Sequence, residues 1–242
     1  MRLTRVYVDG DLQAGQRLTV EGNAGNHIVR VLRARVADEL TIFNGRGGEY
    51  GAAIEEIRRD VVQVSLQEHR DEGRESPFNL TLAQGISRGE RMDWVVQKAT
   101  ELGVTRIVPV FTERSVVHLD ASQAAKKVQH WRAVAIAACE QSGRNRVPEI
   151  AVPVTVYELL GQRFAGQLLL LSPGAALRID DLAAGAEAAT VLIGPEGGLA
   201  QVEQDAALKA GFTAVRMGPR VLRTETAAVC ALTLLQQKFG DL

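Results

Sequence analysis

Ile193-Gly194-Pro195-Glu196-Gly197-Gly198-Leu199, followed by Met217-Gly218-Pro219-Arg220-Val221-Leu222-Arg223-Thr224-Glu225-Thr226-Ala227, is the pair of segments on which the reading of this chain turns. Each segment leaves an apolar, strand-like run and leads into a helix-like one. Glycine lets backbone N–H and C=O groups approach a ligand with no Cβ in the way. Loops of this kind at the carboxyl ends of strands are where open α/β sheets bind small molecules. Neither loop has a common phosphate-binding pattern: G-x-G-x-x-G and G-x-x-x-x-G-K-[ST] are absent from the chain. The expected ligand is therefore nucleotide-like but needs no phosphate cradle. The alternative for each loop is a tight strand-to-helix turn that needs positive φ at its glycines.

Outward from these loops, strands and helices alternate. Leu80–Ala83 reads as a strand and Glu90–Leu102 as a helix, with Met92, Val95, Val96, Ala99 and Leu102 on one face and Gly103 at its C′ position. Arg106–Val110 is the next strand, and a long helix spans 121–142 with Val128, Trp131, Ala135 and Ala138 inward. Gln167–Leu171 and Ala189–Ile193 are continuous apolar runs, as strands covered on both faces require. A helix over 200–210, a strand over Thr213–Met217 and a helix over Thr224–Lys238 complete the series. Such alternation predicts an α/β domain with a mainly parallel sheet.

The first seventy residues read differently. Arg17–Val20, Glu39–Phe43 and Val61–Leu66 are short and β-rich. Asn44-Gly45 is a hairpin signal, extended by Gly47, Gly48 and Gly51. His27–Arg33 is apolar at 28, 29, 31 and 32, as a short amphipathic helix is. A small β-barrel is expected, followed by a polar linker over 69–77 that ends in Pro77.

At 242 residues, 46% hydrophobic and 24% charged, the composition is that of an ordinary globular protein. No apolar run reaches membrane-spanning length, and Met1–Gly10 is too polar for the apolar part of a signal peptide. A cytoplasmic location is the default expectation. Cys139 and Cys230 have neither disulfide-framework nor metal-site spacing and are expected to be buried thiols. His27, His69, His118 and His130 show no ligand spacing, so no metal is expected. The net charge of −1 does not mark a nucleic-acid binder, yet residues 22–37 hold Arg30, Arg33 and Arg35 with no acid. The 23 arginines against 5 lysines suit phosphate and base edges, or reflect coding bias.

Near the second loop, Thr224 is a candidate N-cap. Glu225 either serves ligand chemistry or only complements the positive end of its helix. Arg223 is either a site residue or an ion-pair partner. Lys98 and Glu101, three apart, read as a helix-surface salt bridge. Arg144 and Arg146 follow the helix stop at Gly143, and face either solvent or RNA.

With these residues in view, Gly194–Leu199 and Met217–Ala227 resemble the signature of the RsmE-type ribosomal RNA methyltransferases, of the SPOUT superfamily of trefoil-knotted enzymes. Gln97–Val104, Glu113–Val117, Glu140–Arg144, His27–Arg33 and Asn44-Gly45 fit the same family, so the resemblance covers nearly the whole chain. One departure is Ala200, where the family usually has a helix-capping hydroxyl.

The resemblance implies a PUA-like RNA-binding β-barrel over 1–70, a linker over 71–77 and a SPOUT α/β domain over 78–242 with a deep knot at roughly 190–230. It implies a homodimer that uses S-adenosylmethionine, leaves S-adenosylhomocysteine, and methylates N3 of one uridine in small-subunit (16S) ribosomal RNA, preferring the assembled subunit. Carried onto this chain, the cofactor-binding residues are Leu171, Ile193, Gly194, Pro195, Gly198, Met217, Gly218 and Leu222. Arg30, Arg33, Arg35, Arg88, Arg114 and Arg144 are the candidates for gripping RNA.

Methyl transfer to N3 is largely a positioning problem, but N3 carries a proton that must leave. Arginine cannot be the base. Arg223 or Arg144 can stabilise charge on the uracil oxygens, and Glu225 or Glu196 can take the proton if burial raises its pKa. Three rival readings remain. A knotted ribose 2′-O-methyltransferase of tRNA or ribosomal RNA usually has Ser-Leu-Asn-Val-Ser where this chain has Leu222–Thr226. A non-catalytic assembly factor would not need intact glycine loops. A dinucleotide oxidoreductase would need the missing fingerprint.

Overall fold

The computed structural model describes residues 4–115, 117 and 119–242; Met1–Leu3, Val116 of the Glu113–Val117 motif, and His118 lie outside the described residues. The chain forms two compact units, Met1–Glu75 with Ile136–Val147, and Ser76–Ala135 with Pro148–Leu242.

In the first unit, β1 (Thr4–Tyr7), β2 (Arg17–Val20), β3 (Glu39–Phe43), β4 (Glu49–Arg58) and β5 (Val61–Arg70) form one sheet in the order β1-β3-β4-β5-β2. The β1/β3 pair is parallel and the others are antiparallel. Val6, Val20, Leu40, Ile42, Ala52, Ile54, Val62, Val64 and Leu66, drawn from all five strands, meet in one apolar cluster. The sheet is therefore curled around its core. Register shifts at Tyr50/Ala52 and Ile54/Glu56 bend the two ten-residue strands. Strands β1 and β4 are not among those read from the sequence; at β4 the turn-rich glycines over Gly47–Gly51 hid a strand that begins at Glu49.

Where a short amphipathic helix is expected over His27–Arg33, the chain forms a π-helical turn over His27–Val31 that continues directly from α1 (Gly22–Asn26). Ile28 points into the core, but the wider turn carries Val31 out, 67% exposed. Arg33 at φ 53° and Ala37 at φ 73° then adopt the left-handed region, which non-glycine residues rarely enter.

The first unit also takes in the end of the long helix and the loop after it. Glu75 accepts from the Arg144 guanidinium at 2.6 and 3.0 Å and from the Asn145 and Arg146 amides, each at 3.2 Å. Arg5 donates to Glu49, Asn145 Oδ1 and the Arg144 carbonyl. This network explains why 71–75, expected as part of a linker, is held in place, and why 136–147 packs with residues about seventy positions earlier.

The second unit holds a wholly parallel sheet in the order β11-β13-β10-β12-β6-β7-β8, with β9 also on β7. Its strands are β6 (Asn79–Gly85), β7 (Arg106–Phe111), β8 (Glu149–Ile150), β9 (Val154–Thr155), β10 (Gln167–Leu171), β11 (Leu177–Arg178), β12 (Ala188–Ile193) and β13 (Thr213–Arg216). The helices are α2 (Arg91–Glu101), α3 (Ala121–Ser142), α4 (Val156–Leu160), α5 (Gln201–Lys209) and α6 (Thr224–Phe239).

Helices α4 and α5 share a core with Ala83, Val108, Val110, Leu170 and Leu192. Their strand neighbours Leu82, Ile107, Leu169 and Val191 point the other way and are equally buried, so the central strands are covered on both faces. The short elements β8, β9, α4 and β11 carry too few residues for a readable period. Ala200 has no capping hydroxyl, yet the Glu203 carboxylate accepts from its amide at 2.9 Å and from Glu113 N at 2.8 Å. That half of a capping box anchors α5. Cys139 is buried as expected, its thiol pushed up to about 12 chiefly by burial, whereas Cys230 is only half-buried on α6.

Candidate active site

The carboxyl ends of β10, β12 and β13 open into a cleft of about 730 Å³, within the range of small-molecule sites. Leu171, Ile193, Gly194, Pro195, Gly198, Met217, Gly218 and Leu222, all expected at a ligand, line it together. Glu196, Arg223, Glu225 and Arg114 line it as well. Two loops twenty residues apart in sequence thus close one site, because their strands flank β10 in the sheet.

The loops fit so closely that glycine is required. A Cβ on Gly194 would stand 2.8 Å from both Gly198 C and Leu199 N. Gly85, at the end of β6, packs against Pro195 with no room for a side chain. Gly218 is different: a Cβ there meets nothing within 4 Å, so its open side faces the cleft rather than protein.

Thr224, expected as the N-cap, is instead the first helical residue; Arg223 holds the cap position and makes no side-chain cap bond. The Thr224 hydroxyl donates to Gly194 O at 2.7 Å and accepts from Gln84 Nε2 at 2.9 Å. A hydroxyl tied to the neighbouring loop is not available to its own helix. Gln84, buried at the end of β6, therefore joins three elements at the cleft. Its only sequence signal is one amide at the end of an apolar strand.

The acidic residues divide. Burial alone would push the Glu196 carboxyl up, but its own amide, the Arg88 amide at 3.1 Å and the Arg91 guanidinium at 2.6 Å outweigh that and hold it below the usual range. The condition on which Glu196 could serve as the base, a carboxyl raised by burial, is therefore not met, and it is a poor proton acceptor at pH 7. Glu225 lies 3.9 Å from Arg91 through Oε1, while its Oε2 is shielded from solvent with no hydrogen-bond partner among the described residues.

The arginines divide too. Arg223 and Arg220 are exposed at the cleft and have no side-chain hydrogen bond or ion pair among the described residues. Arg114 donates to Gly197 O at 3.0 Å. Arg144, expected to face RNA or the reacting base, is 3% exposed and held by Glu75, and it does not line the cleft. That expectation is corrected, because a guanidinium this deeply buried must be paired. Arg30 pairs with Asp60 through two 2.9 Å bonds at the surface, and Arg33, Arg35 and Arg88 are exposed. Leu199 and Arg220, both within the two expected loop segments, line the cleft too, and Arg91, Gln204 and Arg216 also line it and were not anticipated. For Arg91 the available signal was a cation opening the helix just after Gly89. Among the described residues no helix is long and apolar enough to cross a membrane, and no cluster of His, Cys, Asp and Glu could hold a metal.

This architecture has close counterparts. Family profiles match residues 74–236 as an RNA methyltransferase domain and residues 20–67 as an RNA methyltransferase PUA domain. Ribosomal RNA small subunit methyltransferase E of Buchnera aphidicola is 34% identical over 242 residues, covering 100% of this chain and 98% of that protein. The protein of the same name from Bacillus subtilis is 29% identical over 233 residues, covering 93% of this chain and 91% of the relative. Among solved structures, a methyltransferase from Legionella pneumophila with bound S-adenosylmethionine superposes with a TM-score of 0.97 at 41% identity over the whole of both chains. Ribosomal RNA small subunit methyltransferase E from Neisseria gonorrhoeae, bound to S-adenosylmethionine, does so at 0.93 and 36% identity, also over the whole of both chains. With its cleft, its parallel sheet and its PUA domain, the chain belongs to the ribosomal RNA small subunit methyltransferase E family.

Proposed function

We propose that this chain transfers a methyl group from S-adenosylmethionine to N3 of a specific uridine in small-subunit ribosomal RNA, acting in the cytoplasm as a homodimer on the assembled subunit. The observation that carries the reading is the single cleft built from both glycine loops, with Glu225 and Arg223 at its edge. The cleft fits the cofactor. Apolar Leu171, Ile193, Leu199 and Leu222 suit an adenosyl group, the open side of Gly218 leaves backbone for its polar edges, and no phosphate cradle is needed. The relatives from Legionella and Neisseria bind the same molecule. When bound, it supplies a methyl group on a sulfonium, which a nucleophile in line can accept.

This chain's own residues do the rest. The unpartnered Oε2 of Glu225 needs a donor, and accepting the N3 proton of the uridine would supply one. Arg223, exposed at the start of α6, steadies charge developing on the uracil oxygens. The bond from Thr224 to Gly194 supports a threading of the second loop against the first, as the superfamily's trefoil knot has near 190–230. The barrel of residues 1–70 grips RNA through Arg30, Arg33 and Arg35, and residues 78–242 carry the chemistry with Arg88 and Arg114 beside the cleft. The Arg30–Asp60 pair is exposed, so exchanging Asp60 for a phosphate costs little.

Incubating the protein and S-adenosylmethionine with small subunits lacking the modification, followed by nucleoside mass spectrometry, tests this. The expected product is 3-methyluridine. A ribose-methylated nucleoside would overturn the base assignment, and cofactor binding without transfer to any RNA would favour the assembly-factor reading. Glu225→Gln is expected to slow transfer by about 100-fold or more with cofactor affinity kept; loss of affinity alone would make Glu225 a binding residue.

A further inference from the structure

Arg91, the first residue of α2, stands between the two glycine loops. Its Nη1 donates to Glu196 Oε1 at 2.6 Å, and its Nε lies 3.9 Å from Glu225 Oε1. The Arg88 amide reaches the same Glu196 oxygen at 3.1 Å. The approach to α2 and its first turn thus bring two donors onto the carboxylate of one loop and a cation beside the carboxylate that follows the other. A single exposed ion pair would be worth little. This arrangement differs because one guanidinium serves two carboxylates from separate segments, and Glu225 has an unsatisfied buried oxygen. A carboxylate in that condition is costly unless a cation faces it. Arg91 is the cation the structure provides, while Glu196 shares it and Arg223 lies two residues before Glu225.

Resting on the methyltransferase reading above, we propose that Arg91 is the positioning residue of this cleft, tying the 194–198 loop to the start of α6 and orienting Glu225. Glu196 is then an anchor rather than a participant: it fixes one end of the fork so that the other end meets Glu225. A lysine at this position keeps the charge but loses the fork, so it holds one carboxylate and not both.

Full-length Arg91→Ala, Arg91→Lys, Glu225→Gln and the Arg91→Ala/Glu225→Gln double variant test this by two routes. In hydrogen exchange, Arg91→Ala is expected to speed exchange at the amides of both 196–199 and 224–228, and Arg91→Lys to spare the first group. In methyl transfer from S-adenosylmethionine to small subunits, Arg91→Ala is expected to lower kcat on the order of 100-fold, a larger factor than its loss of cofactor affinity. Arg91→Lys recovers part of that loss. The double variant is expected to be no slower than Glu225→Gln alone, since Arg91 acts through Glu225. Unchanged exchange in both loops, or rate losses that multiply in the double variant, would overturn the proposal. If the native chain transfers no methyl group to RNA, it is the methyltransferase reading that fails, and the exchange data alone decide whether Arg91 ties the loops.

Discussion

In the first unit Arg5, Glu49, Glu75, Arg144 and Asn145 hold one another; at the cleft of the second, Arg220, Arg223 and one oxygen of Glu225 have no protein partner among the described residues. Both regions gather arginines and glutamates from segments far apart in sequence. The first uses them to lock a loop and a strand onto a barrel, and the second leaves them without a protein partner at the cleft, where we propose that they meet the substrate. Burial and partnering separate structural charge from functional charge, whereas residue type does not. Arg144 and Arg223 look alike in sequence, each following a helix end or loop, and the structure gives them opposite settings, one buried against Glu75 and the other exposed at the cleft.

The sharpest way to break this contrast is to truncate one arginine from each region. Arg144→Ala leaves Glu75 without its main partner and is expected to cost about 3–5 kcal/mol of stability, as removal of one member of a buried pair does. Cofactor affinity of the folded fraction should be unchanged. Arg223→Ala is expected to leave stability within about 0.5 kcal/mol, yet to slow methyl transfer on the order of 100-fold. Denaturant unfolding and single-turnover kinetics on both variants check the pair. If Arg144→Ala proved stable and slow, the division would be reversed.

A finer comparison lies within the cleft. At Gly194 an alanine Cβ meets backbone at 2.8 Å that cannot yield. Gly194→Ala should therefore lower stability by about 1–3 kcal/mol, the usual cost of overpacking, and weaken cofactor binding with it. At Gly218 the same change meets no protein atom within 4 Å, so Gly218→Ala should keep the melting temperature and lose affinity alone. Thermal melts with calorimetric titration of S-adenosylmethionine separate the two. Retained affinity in Gly218→Ala would place the cofactor away from that loop.

How much of this was legible in the sequence follows from the same physics. The strands β10 and β12 and the helices α2 and α6 were readable because long apolar periods report burial directly. The cleft loops were readable because three glycines and a proline in Gly194–Gly198 exceed what one turn requires. Gln84 and Arg91 were not, since a lone amide or cation acquires a role only when the sheet order sets β6 beside β12 and α2 beside both loops. Thr224 misled for a related reason: a threonine before a helix is a cap by local rules, and only the proximity of Gly194 redirects its hydroxyl. Arg144 misled because Glu75, its partner, lies 69 residues away.

The smallest expected effects carry the contrast into pH. The Glu196 carboxyl is held low in the folded protein because its hydrogen bonds from its own amide, Arg88 and Arg91 outweigh its burial. A depressed folded-state value means that its contribution to stability is present above the unfolded value and lost as pH falls through the folded one. Glu140, in the first unit, has the opposite sign: burial, only partly offset by the Tyr7 amide and by His27 and Arg5, pushes its carboxyl up. Between the unfolded value and that raised one, the folded state holds the proton more tightly, so Glu140 lowers stability as pH rises and restores it on acidification. Glu196→Gln should therefore destabilise near neutral pH, with the deficit vanishing in acid. Glu140→Gln, which keeps an acceptor for Tyr7 N, should stabilise near neutral pH, with the gain vanishing in acid. Urea unfolding of both variants and the native chain at pH 7 and again below the carboxylate range measures the two signs. If both variants shifted the same way, the two carboxylates would not be held on opposite terms, and the contrast between a carboxylate stabilised by its partners and one disfavoured by its burial would fail at these positions.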